Sequence, residues 1–467
     1  MQEKKIVVGL ASIWAGGGHH ALRDYLFEEL LPHQEFDLFR FDHSDKSYDQ
    51  FNDAFLGKFP DLFDIIYNNI PNEYPAVSAL HLVEECERFI KDVNPDVLIA
   101  TNYGLSSAFA LVKKTLKLNF VNVYAIPDYG RVGIAAFPAN PYLKPDHVLV
   151  FDTEAKKGIV SELNFPKNDI SVSGYVAKQS FIKYVAENEK KSKEELIAEV
   201  GLPLAANKTT YLVTGGAGGV INKADPLLKK IAALQKKDAA FKQKNQYLII
   251  TGKNEKYFKK ITKARAKSPE WSNIIPVGWI NHETYAKLQL LADAPILITI
   301  APATINELLE AKCGPFIIHH SRKAQEQANV DFVLQKKFGV FVPRAKEVIK
   351  LLLKGISAKK NQDFITRTEV YRQERMKKKE LLPAEICAIY NKHISPKRKN
   401  DKKNLKFKLD ITKLLTRDLF MIFLMMLPAS IIYGYAQYYK QKSALFKNKY
   451  MGALYNTWHK FWSAVID

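Results

Sequence analysis

The sequence predicts an α/β protein with two Rossmann-like domains that face a cleft, followed by a membrane-associated helical tail. Three observations support this prediction. Short apolar runs alternate with helix-like segments in two successive series, each series has a glycine-rich turn after its first run, and segment 419–436 carries no charge. Alternating strand and helix signals are typical of parallel sheets with crossover helices.

The first series predicts an N-terminal domain over residues 1–180. Its β-branched or apolar runs are Lys5 to Ser12, Phe36 to Phe41, Asp96 to Thr101, Phe120 to Ile126, His147 to Phe151 and Ile170 to Tyr175. A charged stretch from Val185 to Glu199, ended by Gly201 and Pro203, marks the boundary that follows.

The second series predicts a C-terminal domain over residues 181–360. Its runs are Thr209 to Gly216, Tyr247 to Gly252, Ile274 to Trp279, Ile296 to Ile300, Pro315 to His320 and Gly339 to Val342. Beyond Gly355 the strand signal stops, and a Lys/Arg-rich helical region predicts closing helices over 361–400. Residues 401–467 form the expected tail.

Composition limits the classes of protein that fit. With 467 residues and 47% hydrophobic content, two globular domains are expected and general disorder is excluded. Three cysteines without paired spacing indicate neither a disulfide framework nor a zinc site, which favours a reducing compartment. A net charge of +20 indicates an anionic partner, either lipid or nucleic acid.

The tail favours lipid as that partner. The basic stretch between Lys397 and Arg417 adjoins the apolar run 419–436, and no nucleic-acid recognition motif occurs. A bilayer span takes roughly 20 apolar residues, and Pro428 interrupts the run, so spanning, partial insertion and a buried core helix stay open. Because the first strand signal begins almost at the start, we expect no signal peptide and a position at the cytoplasmic face of the membrane.

The turn after the first predicted strand contains Gly16, Gly17, Gly18, His19 and His20. Consecutive glycines let backbone amides approach a ligand, and the following helix offers its positive N-terminal end. A histidine there can act as a base, so His19 is a candidate catalytic residue; capping the helix or binding phosphate is the alternative for either imidazole. The pattern lacks the GxGxxG spacing of dinucleotide sites and the ligand spacing of metal sites, so neither a cofactor nor a metal is expected.

The second half contains two candidate phosphate sites. A second glycine-rich loop holds Gly215, Gly216, Gly218 and Gly219. Another predicted strand turns at Ala303 and Thr304 into a helix that carries Glu307. Its N-terminus suits a diphosphate and its carboxylate suits two ribose hydroxyls, although a simple helix cap explains the same spacing.

Other polar groups are candidates for contacts with sugar or acceptor. Gln325, Glu326 and Asn329 provide amides and a carboxylate suited to sugar hydroxyls, or else a solvated helix face. Asp128, in the turn after the fourth strand, is a second candidate base or merely a turn aspartate.

In their order along the chain these segments resemble the family 28 glycosyltransferases, within the branch of monogalactosyldiacylglycerol synthases and diacylglycerol glucosyltransferases. Gly16 to His19 resembles the glycine-rich acceptor-side loop with its histidine, and residues 301–307 resemble the donor-site motif. Gly278, in a Gly-aromatic turn, and Gln325 with Glu326 and Asn329 are also similar to donor-site residues of this family.

The resemblance implies the GT-B fold and an inverting, metal-independent transfer. A UDP-hexose would bind the C-terminal domain as substrate, and a lipid such as diacylglycerol would bind the N-terminal one. Two alternatives remain: a UDP-sugar 2-epimerase, and a non-catalytic membrane-bound scaffold, suggested by Ala301 and Ala303. Nucleic-acid binding is not expected.

Overall fold

The computed structural model of the chain describes residues 4–13, 18–43, 74–130, 137, 143–215, 222–321 and 326–394. In these ranges the chain forms two parallel sheets of six strands each, with helices between the strands. The part built on the first sheet is called the first lobe, and the part built on the second sheet is called the second lobe.

The first sheet has the strand order β2-β1-β3-β4-β5-β6, with every pair parallel. Strands such as β3 and β5 are buried along their whole length, as expected for a sheet covered by helices on both faces. The elements of this lobe are β1 (Ile6–Ser12), α1 (Gly18–Leu30), β2 (Phe36–Asp42), α2 (Tyr74–Val93), β3 (Val97–Ala100), α3 (Tyr103–Leu116), β4 (Val121–Ala125), β5 (His147–Val150), α4 (Thr153–Leu163) and β6 (Ile170–Val172).

Two helices connect the lobes, α5 (Gln179–Asn188) and α6 (Lys193–Val200). The charged stretch includes the end of α5 and most of α6, and Ser192 and Glu195 make a capping box at the start of α6. Gly201 ends the helix in a left-handed conformation, with φ of 63°.

The second sheet has the strand order β12-β11-β10-β7-β8-β9, also entirely parallel. The elements of this lobe are β7 (Thr209–Thr214), α7 (Asp225–Lys237), α8 (Ala239–Lys244), β8 (Asn245–Ile250), α9 (Glu255–Lys267), β9 (Ile274–Val277), α10 (His282–Leu291), β10 (Ala294–Leu297), α11 (Pro302–Glu310), β11 (Phe316–Ile318), α12 (Gln327–Gln335), β12 (Gly339–Phe341) and α13 (Ala345–Lys354).

Each sheet has one point where the strand order reverses direction, between β1 and β3 and between β7 and β10. In open α/β sheets, ligands bind outside the carboxyl ends of the strands at this point. Helices α1 and α11 are the next elements after β1 and β10, so both helices begin at such a position. The topology therefore gives each lobe one favoured ligand position.

The chain then returns to the first lobe through two closing helices, α14 (Ala358–Glu380) and α15 (Leu382–His393). Helix α15 contacts α1 and β4. The return requires glycine at position 174, because a Cβ atom there would lie 2.1 Å from the Arg375 carbonyl oxygen. Apolar residues of both sheets and of the closing helices form one continuous buried cluster.

The predicted α/β class is confirmed, since a strand occurs within each of the twelve predicted runs or overlaps it. The predicted tail, 401–467, lies outside the described residues. Within the ranges given above, no helix has the length and apolar character required to cross a bilayer.

Candidate active site

Helices α1 and α11 contact each other, which brings the two favoured ligand positions together. A cleft of about 560 Å³ lies where they meet. Its lining from the first lobe and the following connection consists of Gly18, His20, Ala21, Arg23, Asp24, Asp42 and Lys178. The second lobe contributes Ile250, Gly252, Lys253, Gly278, Trp279, Ile280, His282, Tyr285, Ala301, Ala303, Thr304 and Glu307.

Helix α11 presents its N-terminal end to this cleft. Ala301 is the N-cap residue and provides no side-chain cap, and Pro302 at the first position has no amide hydrogen. The first amide N–H groups of the helix therefore belong to Ala303 and Thr304, which line the cleft. The first turn contains no acidic residue, so the helix dipole retains its attraction for an anion.

Glu307 lies one turn further along α11 and also lines the cleft. Burial raises the pKa of this carboxyl group to about 7, and the charge of Lys178 opposes the rise. Near neutral pH the side chain is therefore divided between a carboxylate, which only accepts hydrogen bonds, and a carboxylic acid.

His20 is the histidine of α1 that lines the cleft. Its Nδ1 atom lies 2.6 Å from the Ser12 hydroxyl and 3.4 Å from Oδ1 of Asp42. Burial and the nearby Arg23 lower the pKa of His20, whereas Asp42 acts to raise it. A neutral imidazole held at Nδ1 by an acceptor can take a proton at Nε2.

His19 has a different environment. Its Nδ1 atom lies 2.5 Å from the Thr101 carbonyl oxygen, and the Thr101 hydroxyl donates back to the His19 carbonyl. Burial lowers the pKa of His19 to about 4. The side chain thus fastens the start of α1 to the end of β3.

A charged network lies beside His20. The Arg23 guanidinium donates to Asp42 and, at 2.6 Å, to Asp24, and Lys178 donates to the other oxygen of Asp24 at 2.7 Å. Burial would raise the pKa of Asp24, but the hydrogen bonds from Lys178 and Arg23 lower it. The cleft thereby holds two fixed cations whose positions are set by carboxylates.

The opposite wall has an aromatic and a cationic side chain. The Lys253 ammonium lies 5.1 Å from the centre of the Trp279 ring, and 60% of Trp279 is exposed. At Gly278 an added Cβ atom would meet nothing nearer than the Phe258 ring at 3.9 Å. The fold therefore does not require glycine at this position, and the open space belongs to the cleft.

Asp128 and Asn329 connect the two lobes. The Asn329 amide donates to Asp128 at 3.0 Å and to the Ile300 carbonyl at 3.1 Å, and it accepts from the Tyr129 amide at 3.0 Å. Both amide hydrogens of Asn329 are used within the protein. Burial raises the pKa of Asp128 to about 6, and the hydrogen bond from Asn329 opposes the rise.

The same junction contains a buried arginine. Asn306 accepts hydrogen bonds from the Tyr129 hydroxyl and, at 2.5 Å, from the Arg375 guanidinium. The Tyr129 ring stacks on Phe332 with a centre-to-centre distance of 4.2 Å. The helix that carries Glu307 is therefore held by groups from the first lobe and from α14.

The chain is similar in sequence to a plant protein of known function. The chain is 29% identical over 302 residues to monogalactosyldiacylglycerol synthase 3 of Arabidopsis thaliana, a match that covers 63% of the chain and 59% of the relative. The chain thus spans less than two thirds of the relative's length. This match confirms the resemblance to family 28 glycosyltransferases. No protein-family model matches the chain.

Solved structures agree with the family 28 resemblance at the level of the fold. A glycosyltransferase from Rickettsia africae has a TM-score of 0.52 and 12% identity, covering 84% of this chain and 98% of its own. The UDP-GlcNAc 2-epimerase of Neisseria meningitidis, bound to UDP-GlcNAc, has a TM-score of 0.51 and 10% identity, covering 83% and 100%. The S. aureus MnaA-UDP co-structure has a TM-score of 0.53 and 11% identity, covering 85% and 99%.

Several residues that the family 28 resemblance singled out line the cleft: Gly18, Gly278, Ala303, Thr304 and Glu307. Gly215 directly follows β7, and its carbonyl accepts a hydrogen bond from Thr299 at 2.8 Å. Glu326 is the N-cap residue of α12, outside this lining. The predicted residues Gly16, Gly17, Gly216, Gly218, Gly219 and Gln325 lie outside the described residues.

Sequence reasoning missed the charged residues Arg23, Asp24, Asp42 and Lys178 as members of the site. Arg23 and Asp24 lie one turn after the two histidines on α1, which is a usable signal. Lys178 lies shortly after Gly174, and nothing in its local sequence marks it as a member of the site.

One possible metal-binding cluster occurs among the described residues, and it lies outside the cleft lining. In the described part of the chain, the one group of three histidine or acidic side chains with suitable distances is His147, Asp169 and His393. None of the three lines the cleft.

Proposed function

We propose that the chain is an inverting, metal-independent glycosyltransferase that transfers a hexose from a UDP-sugar to a lipid acceptor such as diacylglycerol. One observation carries the proposal: His20 and Glu307, from different lobes, line a single cleft at the carboxyl ends of both sheets. The related protein of Arabidopsis thaliana is a monogalactosyldiacylglycerol synthase, which supports the lipid acceptor.

The donor would bind to the second lobe. The amides of Ala303 and Thr304 suit the diphosphate, because a helix N-terminus favours an anion there. The Glu307 carboxylate suits the two ribose hydroxyls. Lys178 and Lys253 add positive charge for the departing UDP, so the leaving group is neutralised without a metal.

The acceptor hydroxyl would come from the side of the first lobe. It attacks the anomeric carbon while its proton passes to the Nε2 atom of an imidazole, and the bond from that carbon to the UDP oxygen breaks with its electron pair on UDP. An α-linked donor then gives a β-linked product. We assign the base to His20, since it lines the cleft, and a positioning role to His19, the base expected from the sequence.

The remaining predicted residues have supporting roles in this proposal. The glycine-rich turns at 16–18 and 215–219 would approach acceptor and diphosphate through their amides, and Gln325 with Glu326 would contact the donor sugar. Asp128, held by Asn329, would orient the acceptor. No organic cofactor is needed for the displacement.

Membrane attachment would come from the tail. Basic residues near an anionic surface contribute about 1 kcal/mol each, and the stretch from Lys397 to Arg417 precedes the uncharged run 419–436. We propose that both segments hold the cleft at the cytoplasmic face of an anionic membrane. A chain cut after Ile394 should then lose co-sedimentation with vesicles that contain phosphatidylglycerol and keep UDP binding.

The direct test is incubation of the full chain with vesicles that contain diacylglycerol and with labelled UDP-glucose or UDP-galactose. A labelled, β-linked glycolipid in the lipid extract is the expected product, with chelator present throughout. The solved UDP-GlcNAc 2-epimerase of similar fold makes epimerisation the second candidate. Conversion of UDP-GlcNAc to its C2 epimer without lipid, and no labelled lipid, would replace the transferase proposal.

A further inference from the structure

At the edge of the first sheet opposite the cleft, three side chains with metal-binding atoms converge. His147 is the first residue of β5, Asp169 immediately precedes β6, and His393 is the last residue of α15. Both strands begin at this edge, whereas the cleft lies where strands end. One donor atom from each of the three residues lies within 4.8 Å of the other two.

The two imidazoles have nitrogen atoms for which no other function is evident. The Nδ1 atom of His147 and the Nε2 atom of His393 are buried and have no hydrogen-bond partner in the described structure. Only 3% of His147 is exposed, and its Nε2 atom lies 2.9 Å from the Ser171 hydroxyl. Buried polar atoms are nearly always paired, so two such nitrogens in one place indicate a ligand.

The geometry brings these nitrogens and the carboxylate together. The Nε2 atom of His393 lies 3.7 Å from Oδ1 of Asp169. The two imidazole rings are 5.7 Å apart and nearly perpendicular, at 79°. The Ser171 hydroxyl fixes the orientation of His147, as outer partners do for histidine ligands of metals.

We propose that His147, Asp169 and His393 form a zinc site that fastens the end of closing helix α15 to the first lobe. Two imidazole nitrogens and one carboxylate oxygen are a ligand set that Zn²⁺ accepts, with water at the fourth position. The site is separate from the cleft and does not depend on the proposed transferase activity. Its role is to hold the helix against the sheet.

Lys392 opposes the binding of a cation here. Its ammonium lies 2.7 Å from Oδ1 of Asp169 and also donates to the Asn168 carbonyl. A metal must displace the ammonium or use the second carboxylate oxygen. Replacing Lys392 with Met keeps the apolar stem and removes the charge, so Zn²⁺ affinity should rise by about tenfold.

The test uses the full chain, freed of metal with EDTA and dialysed, then titrated with Zn²⁺ by calorimetry and with Co²⁺ by visible absorption. We expect one high-affinity equivalent that is lost in His393→Ala and in Asp169→Asn. His33→Ala is the matched control, because His33 also pairs with a carboxylate, Glu35 at 3.6 Å, but on the surface. That variant should bind as the wild type does.

A second measurement separates binding from misfolding. Added Zn²⁺ should raise the thermal midpoint of the wild type and of Lys392→Met. Circular dichroism should show that His393→Ala is folded, and Zn²⁺ should leave the thermal midpoint of this variant unchanged. The proposal is overturned if the wild type binds no Zn²⁺. It is equally overturned if His393→Ala and Asp169→Asn keep the wild-type stoichiometry and affinity.

Discussion

The Asn329 amide of the second lobe donates a 3.0 Å hydrogen bond to the Asp128 carboxylate of the first lobe, 201 positions earlier in the chain. Asn329 also bonds Tyr129 and Ile300 and is completely buried. A single side chain thus joins the turn after β4 to the segment that precedes α11. Together with the bonds of Tyr129 and Arg375 to Asn306, this contact joins the first lobe to the region of the helix that carries Glu307.

Replacing Asn329 with Ala should lower the free energy of unfolding by about 2–4 kcal/mol, because three hydrogen bonds are lost and their partners stay buried. Urea denaturation measures the change. Gln327→Ala on the same helix is the control, since Gln327 is exposed and bonds only Asp331 among the contacts described. Equal stability of both variants would show that the contact does not join the lobes.

Glu307→Gln should weaken UDP binding by about tenfold to a hundredfold, the expected loss for a hydrogen bond to a charged group. Because burial raises the pKa of Glu307 to about 7, UDP affinity of the wild type should increase from about pH 6 to about pH 8 as the carboxylate forms. Calorimetry at several pH values checks this. A wild-type affinity that does not change with pH would count against Glu307 as a ribose ligand.

The same pKa shift makes the free energy of unfolding fall with increasing pH, whereas it makes UDP affinity rise. The folded state holds the Glu307 proton more tightly than the unfolded state, whose pKa is near 4.5. Its contribution to the free energy of unfolding is therefore largest below pH 4.5 and falls until about pH 7. The difference in stability between wild type and Glu307→Gln should follow this course; a difference that stays constant over the range would contradict the burial effect.

Gly278→Ala should leave stability nearly unchanged, since its Cβ atom would meet only the Phe258 ring at 3.9 Å. If the nucleotide approaches this wall closely, the methyl group should weaken UDP binding by about tenfold. Gly18→Ala is the matched variant on the other wall, where an added Cβ atom has no neighbour within 4 Å. It should leave UDP affinity intact. If Gly278→Ala and Gly18→Ala bind UDP with the same affinity, the nucleotide does not lie close to Gly278.

His20→Ala should reduce the rate of transfer by about 10²–10⁴ and leave the dissociation constant for UDP unchanged, as expected for a general base. His19→Ala should have a smaller effect on rate, because its imidazole faces the Thr101 carbonyl. Single-turnover rates and UDP calorimetry on both variants provide the comparison. A greater loss of rate in His19→Ala would return the role of base to His19.

Much of the fold could be predicted because buried parallel strands are short apolar runs. Strand β10 reads Ala-Pro-Ile-Leu and leads to a proline that starts α11, so both the strand and the position of Glu307 follow from local sequence. Ala303 and Thr304 line the cleft for the same reason, because they lie in the first turn of α11. Their roles in binding stay predictions.

Residues whose importance depends on distant contacts could not be predicted. Lys178 reaches Asp24 across 154 positions, and only the return of the chain after β6 brings them together. The assignment of Asn329 to the donor sugar overlooked its partners in the first lobe for the same reason. His147, Asp169 and His393 lack the short spacing by which metal ligands are recognised in sequence.

The close passage of α14 over Gly174 means that the polypeptide crosses between the lobes twice, once through α5 and α6 and once on its way back. The first crossing is a covalent link, whereas the second reaches the first lobe only through the packing of α14 and α15. Cutting the first crossing would therefore leave the two halves attached through that packing. A protease nick between α5 and α6 should accordingly yield fragments that still elute together under native conditions.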